Sequence, residues 1–451
     1  METLTPNKIA EITGGAYVGD DSSRNSLVQG ASRDNRDIER GNLFICIQGA
    51  RVDGHTFANS AFDAGAACCL AEHAISDAKG PYVLVPSTLE AIKTIAAHHR
   101  KQCNIPIVGI SGSVGKTTTK EMVASTLNAK FNVLKTKDNM NNSLGVPLTL
   151  LSLDESTEAA IIEMGISDFG EMSELAAMVR PTIMILTKIG YSHLATLHDL
   201  NGVLKAKSEV FRYMGVDDAA IINGDDDLLC GYDPGIRKIM FGLNEYNDYR
   251  AENIQAIGTS GVAFDVIFHE KWMHARVPSY GNHLVMAALA ATATGQELGM
   301  SDSDITKGLL SYNPLSGRAY VTETGKITLI NDCYNANPNS VKAAMESLAA
   351  LPGRHVAILG DMLELGEISE KLHYEVGERA AAGGVDVLIC CGPMAENIIK
   401  GFRAAGGISA HYFAEKKELV ASLDEIIKEG DVVLVKASHG MQFDELLPYL
   451  N

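Results

Sequence analysis

The sequence predicts a three-domain α/β protein: a small α/β domain over residues 1–103, a central phosphate-loop domain with a mostly parallel sheet over 104–313, and a C-terminal Rossmann-like α/β domain over 314–451. Three observations carry this. A chain of 451 residues exceeds the roughly 250–300 at which a single core stops growing. From Ile105 onward, apolar runs alternate with helical segments, the pattern of a parallel sheet with helices on both faces. The stretch "IPIVGISGSVGKTTTKEM" (105–122) sets an apolar run before glycines at 109, 112 and 115, then Lys116 and Thr117.

In order along the chain, "PNKIAEITG" reads as a short amphipathic helix, and "NLFICIQG", "AACCLAE" and "YVLVP" read as strands. The helical segment "STLEAIKTIAAHHRKQC" leads to Asn104 and Pro106, a turn before a buried strand and the first boundary. Next come the strand candidates "IPIVGI", "AAIIEMGI", "TIMILTKI" and "AAIING", then the helix "NHLVMAALAATATGQELG". The turn-rich "SYNPLSGR" (311–318) is the second boundary. Beyond it, "ITLINDCY", "HVAILGDM", "VDVLICCG" and "DVVLVKAS" are strands that end in small, polar or charged residues. Ligands bind at the carboxyl ends of strands in open α/β sheets, so a site between the two larger domains is expected.

Composition narrows the partners. Apolar residues make up 46% and charged residues 21%, as in soluble globular proteins. A net charge of −18 disfavours nucleic acid and anionic membrane surfaces. None of the eight cysteines forms a CxxC pair, and most sit in apolar runs, so neither a disulfide framework nor a zinc site is expected. No run approaches the ~20 apolar residues of a membrane span, and "METLTPNKIAEITGG" has no apolar signal core. A cytoplasmic monomer is the expectation.

The glycines at 109, 112 and 115 depart from the strict Walker spacing, which would require glycine at 110, where Ile110 stands. The physics of a phosphate cradle is kept. Backbone N–H groups can wrap phosphate oxygens at a helix N-terminus. Lys116 can reach the β- and γ-phosphates, and the Thr117 hydroxyl can ligate Mg²⁺. The central domain is therefore expected to be a P-loop-type ATPase. Glu163 ends the apolar strand in "AAIIEMG" and is either a solvent-facing carboxylate or a metal ligand. His193 follows a strand and a short loop and is either a satisfied histidine or a resident of the same cleft. Leu200, Val203, Leu204, Val210, Phe211 and Met214 form one face of a helix of period 3.6. Lys207 occupies the missing position on that stripe, while Lys205 lies off it. A lysine there must snorkel, pair or lose its charge.

Together, "GISGSVGKTTTKEM", "NMNNSLGVPLTLL" (139–151), "IIEMG", "NDCYNANPNSVKAAM" (331–345) and "LGDMLELG" (359–366) resemble the Mur ligases, and the resemblance runs from "DNRDIERGNLFICIQGARVDGH" (34–55) to "VLVKAS" (433–438). It implies an ATP-dependent ligase of peptidoglycan precursor synthesis working through an acyl phosphate. The "YNANP" and "GDMLELG" pair implies that it joins D-alanyl-D-alanine to UDP-N-acetylmuramoyl-tripeptide. The N-terminal domain would bind the UDP-sugar through Asn35, Arg36, Gln48, Gly49, Asp53, Gly54 and His55. The central domain would bind ATP through Gly112, Ser113, Gly115, Lys116, Thr117 and Thr118, with His283 near the adenine and Arg318 and Asp332 reaching in from the C-terminal side. Asn141 and Asn142 would face the muramyl-peptide. Tyr334, Asn335 and Asn337 would form the loop near the incoming dipeptide, although an Asn-rich turn capping the next helix accounts for the same residues. Two Mg²⁺ ions would be held by Thr117, Glu163, His193 and Lys207, the last as a carbamate made from CO₂. Lys116, Lys207, Glu163 and His193 would be catalytic.

Two stretches depart from the family pattern. Leu284 and Ala287 replace two asparagines of the adenine-site helix, and "KASH" puts Ala437 and His439 where Gly and Arg are usual. The readings that compete with this one are another Mur-type or folylpolyglutamate-type ligase and a nucleotide-binding regulator without turnover.

Overall fold

The computed structural model describes residues 4–49, 52–257, 261–279, 281 and 283–450. Three sheets follow one another along the chain. The first holds β1 (Ala16–Val18), β2 (Ala31–Ser32), β3 (Leu43–Ile45), β4 (Cys68–Ala71) and β5 (Tyr82–Leu84) in the order β1-β5-β4-β3-β2. Only β1 is antiparallel to its neighbour.

The second sheet holds β6 (Ile107–Ser111), β7 (Val133–Lys135), β8 (Ala159–Glu163), β9 (Ile183–Leu186), β10 (Ala219–Asn223), β11 (Arg237–Gly242), β12 (Tyr249–Ala256), β13 (Val262–Phe268) and β14 (Lys271–Val277). Its order is β14-β13-β12-β11-β10-β9-β6-β8-β7, with the phosphate-loop strand β6 between β9 and β8. Seven strands are parallel, and the four central ones, β6, β8, β9 and β10, are buried along their whole length, which is why they read as apolar runs rather than as alternation. The sheet closes on an antiparallel ribbon, β12-β13-β14, that the alternating-run pattern did not predict. Its turn uses His269 and Glu270 at φ 46° and 61° instead of the Asn-Gly or Asp-Gly that marks such turns in sequence.

The third sheet holds β15 (Tyr320–Glu323), β16 (Thr328–Asn331), β17 (Arg354–Gly360), β18 (Val387–Cys391), β19 (Ser409–Phe413) and β20 (Asp431–Lys436) in the order β15-β16-β20-β17-β18-β19. All pairs but β15-β16 are parallel.

Packing ties the first two sheets together. One continuous apolar cluster runs from Ile9, Leu43 and Val83, through Ile92 and Ile95 of the helix Thr88–Lys101, to Leu150, Ile162 and Met184 of the second sheet. The opposite face of the second sheet packs Val108, Ile110 and Ile161 against the phosphate-loop helix Lys116–Leu127 and the almost fully buried helix His283–Glu297. The third sheet has its own two-faced core, with Ala357 and Leu359 on one side and Val356 and Ile358 on the other.

The helix carrying Lys207 is shorter than its apolar stripe. It runs Leu200–Ser208 and then tightens into a 3₁₀ segment, Glu209–Tyr213. Glu209 is buried, and its carboxylate accepts from the Gly170 and Ser173 N–H groups, so it caps the helix Glu171–Val179. Among the described residues, no helix is long and apolar enough to cross a membrane.

Candidate active site

The carboxyl ends of β6, β8, β9 and β10 face the carboxyl ends of β16 and β20 across a cleft of about 790 Å³. The phosphate loop forms one wall. Gly112 sits at φ +149° and Gly115 at φ +85°. A Cβ on Gly112 would lie 2.0 Å from Thr187 Oγ1, so only glycine brings the loop this close to the end of β9. The Ser113 hydroxyl donates to Gly190 O at 2.9 Å, which fastens the loop. Lys116 Nζ donates to Gly112 O at 2.7 Å, and its pKa is lowered by burial, partly opposed by Glu163. Thr118 also lines the cleft.

Thr117 and Glu163 meet at the base of this wall. The Thr117 hydroxyl donates to Glu163 Oε1 at 3.2 Å, and Asn141 Nδ2 donates to the same oxygen at 2.9 Å. Glu163 is 1% exposed, and its Oε2 is buried without a hydrogen bond. Lys120, fully buried, lies 3.7 Å from that oxygen, 3.3 Å from Glu121 Oε1 and 3.3 Å from Asp138 O. An orphaned carboxylate oxygen beside a threonine hydroxyl is a hard-oxygen donor set, and it fits Mg²⁺. Asn142 lines the cleft as well, and its Oδ1 accepts from Leu144 N and Gly145 N.

His193 borders this centre, and Lys207, which is not among the residues lining the cleft, is within electrostatic reach of His193 and Lys116. His193 lines the cleft in a left-handed conformation, φ 52°. Burial lowers its pKa; Glu364 opposes that shift, whereas Lys207 and Lys116 add to it. Lys207 is 1% exposed on the predicted stripe, while Lys205 is exposed. Among the described residues, no hydrogen bond or ion pair engages its Nζ. Burial, then the charge of Lys116, pushes its pKa well below 10.5. Of the outcomes open to a lysine on a core stripe, loss of charge is the one this environment favours.

The other wall comes from the third sheet. Arg318 crosses the cleft and donates to Thr117 Oγ1 at 3.0 Å, with its guanidinium 3.8 Å over the Tyr334 ring. Asp332 Oδ1 accepts from Ala319 N, and Asp332 Oδ2 lies 2.5 Å from Lys436 Nζ. Lys436 also donates to Asn335 O at 2.9 Å. His283 lines the cleft near this pair, and burial lowers its pKa. Asn335 Oδ1 accepts from Ala336 N. Asn337 caps the helix Pro338–Ala349 in a reciprocal box with Ser340, so the Asn-rich stretch is a helix cap and also a wall of the cleft.

The departures fall around this wall. Leu284 and Ala287 are buried, and Ala287 lines the cleft beside Met286 and Phe241, giving an apolar patch where amides were expected. Asn282, next to His283, lies outside the described residues. Ala437 is fully buried, and its Cβ sits 2.7 Å from where a Cβ on Gly360 would be. His439 is exposed, with its ring 5.3 Å from that of Tyr334.

The N-terminal candidates form a separate group, and none lines the cleft. Asp53 Oδ1 accepts from His55 N and lies 2.6 Å from His55 Nδ1; these bonds hold its pKa at about 2. Glu72 N donates to His55 Nε2 at 2.9 Å. Gln48 bridges to Asp53, Gly49 N donates to Val52 O, and Gly54 lies so close to Ile47 that a Cβ would sit 2.7 Å from its backbone. Asn35 donates to Ser60 Oγ, and Arg36 pairs with Asp34.

Among the charged residues of the site that escaped the sequence reading are Lys436, Lys120 and Glu364. Lys436 ends the apolar run "DVVLVK", as Glu163 ends its own, and that signal was available. Lys120 carried none, because nothing in "KTTTKEM" marks a fully buried face. Glu364 reaches His193 only through the arrangement of two sheets, with its Oε2 2.8 Å from His193 Nδ1.

Comparison with known proteins gives a consistent picture. Residues 28–100 match the Mur ligase family catalytic domain, 110–295 the Mur ligase middle domain and 317–439 the Mur ligase glutamate ligase domain. The chain is 33% identical to the UDP-N-acetylmuramoyl-tripeptide–D-alanyl-D-alanine ligase of Bacillus subtilis, over 99% of this chain and 98% of that one. It is 33% identical to the ligase of the same name from Escherichia coli, with the same coverage. Its fold is similar to the crystal structure of MurF from Acinetobacter baumannii, with a TM-score of 0.88 and 28% identity, covering 100% of this chain and 99% of that one. It is also similar to MurF ligase from Thermotoga maritima in complex with ADP, with a TM-score of 0.83 and 26% identity over 95% of this chain and 98% of that one.

Proposed function

Since the chain belongs to the Mur ligase family, we propose that it is the ATP-dependent ligase joining D-alanyl-D-alanine to UDP-N-acetylmuramoyl-tripeptide, the step that completes the peptidoglycan precursor UDP-MurNAc-pentapeptide. The observation that carries this reading is the cleft. Its first wall is a phosphate loop with an orphaned carboxylate, and its second is a cationic, amide-rich loop from the third sheet. Such a cleft suits a reaction that activates one substrate with ATP and delivers a second from the opposite side. The full-length similarity to ligases of that name supports the choice of substrates.

In the mechanism, the terminal carboxylate of the tripeptide attacks the γ-phosphorus of ATP, forming an acyl phosphate and releasing ADP. Lys116 leaves Gly112 O to bind the transferring phosphoryl group and offsets its charge. Arg318 adds a second cation from the facing wall. Thr117, Glu163 and His193, with Lys207 as a carbamate, would hold Mg²⁺, which neutralises phosphate charge when bound. Asn141 keeps Glu163 aimed into this site. Burial, then the charge of Lys116, shifts the Lys207 amine toward its neutral form, the one that adds to CO₂ and loses a proton to give the carbamate. The dipeptide amine then attacks the acyl carbon, the amide forms and phosphate departs. Closure of the two walls keeps water from the acyl phosphate.

Asn35, Arg36, Gln48, Gly49, Asp53, Gly54 and His55 bind the UDP-sugar in this reading, and Tyr334, Asn335 and Asn337 border the acceptor. The three units correspond to 1–103, 104–313 and 314–451, and the protein works as a cytoplasmic monomer. The test is ligation followed by mass spectrometry: the wild-type chain yields UDP-MurNAc-pentapeptide, and a Lys116→Ala variant with undiminished product refutes the assignment.

A further inference from the structure

We infer that Glu364 is a positioning residue for His193, delivered from the third-sheet unit, and that it ties metal affinity to closure of the cleft. The inference rests on the reading above, in which His193 faces Mg²⁺. Glu364 Oε2 lies 2.8 Å from His193 Nδ1. A carboxylate offers only acceptors, and two acceptors do not approach this closely, so the proton belongs on Nδ1. The neutral ring then keeps its lone pair on Nε2, which no described residue hydrogen-bonds. A carboxylate behind the distal ring nitrogen fixes the tautomer and orientation of a metal-ligating histidine.

The backbone supports a built contact. His193 and Glu364 both hold left-handed conformations, φ 52° and 63°, which few non-glycine residues adopt. The loop bearing Glu364 is fastened to its own sheet: Met362 N donates to His373 Nε2, Leu363 N donates to Ser438 Oγ, and Leu365 is buried. From that base it reaches the segment after β9, where a Cβ on Gly366 would lie 3.8 Å from Ala195. Because the two residues belong to different units, opening the cleft separates them and frees the imidazole. The metal site is therefore complete only when the cleft is closed, and by linkage the metal favours closure.

The test uses the full chain with two readouts. Mn²⁺ binding is followed by electron paramagnetic resonance in the presence of a non-hydrolysable ATP analogue. The His193 tautomer is followed by long-range ¹H–¹⁵N correlation on histidine-labelled protein, assigned through His193→Gln. A Glu364→Ala variant should weaken Mn²⁺ binding about tenfold and lose the Nδ1–H signature. Glu364→Gln, whose amide oxygen still accepts, should recover most of both. Mn²⁺ affinity within twofold of wild type in Glu364→Ala, or an unchanged tautomer, overturns the inference while leaving the ligase reading intact. Mn²⁺ affinity unaffected by His193→Gln overturns the underlying role of His193 instead.

Discussion

Replacing Lys207 with methionine should make the protein more stable and less active at once. Lys207 is 1% exposed, on a helix that also buries Val203 and Ala206, with no hydrogen bond or ion pair to its Nζ among the described residues. Lys116 adds repulsion. Methionine keeps an unbranched chain of similar length and removes the amine. A polar group fully buried without a partner costs about 1–3 kcal/mol, which is the upper limit of what the substitution returns. For a unit of 150–250 residues, each kcal/mol is worth about 2–4 °C in melting temperature. Differential scanning fluorimetry in CO₂-free buffer should therefore show a rise of several degrees for Lys207→Met. ATP-dependent phosphate release should fall on the order of 10²-fold or more, as when a preorganised charge is removed from a reacting centre. A variant that melts several degrees below wild type would mean that the amine is compensated after all, and full turnover would mean that it has no catalytic use.

His373 is fully buried as a neutral ring, with Nε2 accepting from Met362 N and Nδ1 donating to Ser369 O, and burial holds its pKa below 6.5. The folded chain excludes a proton that the unfolded chain binds, so wild-type stability should fall below pH 6.5, by up to about 1.4 kcal/mol per pH unit, until the folded pKa is reached. Urea melts between pH 5 and 7 should show that slope reduced in His373→Gln. Gly112→Ala places a Cβ 2.0 Å from Thr187 Oγ1 and should weaken binding of a fluorescent ATP analogue more than tenfold; unchanged binding would contradict the cradle. Asn337→Ala breaks the reciprocal cap of Pro338–Ala349 and should lower stability by about 1 kcal/mol, with Asn337→Asp recovering most of it.

Local chemistry was legible in the sequence where a single element carried it. The strand, glycine loop and helix around Lys116 follow from three signals that agree, and the Lys207 anomaly follows from the helical period alone. Glu163 could be placed at a strand end but not within reach of Thr117 and Asn141, because those contacts span 46 and 22 residues. The shared core of the first two sheets had no signature either. The helix Thr88–Lys101 reads as amphipathic, but nothing in it says that Ile92 and Ile95 join a cluster reaching Leu150. The ribbon β12-β13-β14 was hidden by a turn made from His269 and Glu270. Glu364 sits in a stretch marked only by its resemblance, and its meeting with His193 arises from the packing of two sheets with separate cores.

The central claim is a single reaction that needs two substrates and ATP. The most direct measurement is phosphate release from the purified full chain, with UDP-MurNAc-tripeptide and D-alanyl-D-alanine added singly and then together. Release only with both, accompanied by a product heavier than the tripeptide by the dipeptide less one water, is the predicted result. No release with the pair, alongside release with folate plus glutamate or with UDP-MurNAc-dipeptide plus a diamino acid, would contradict the account.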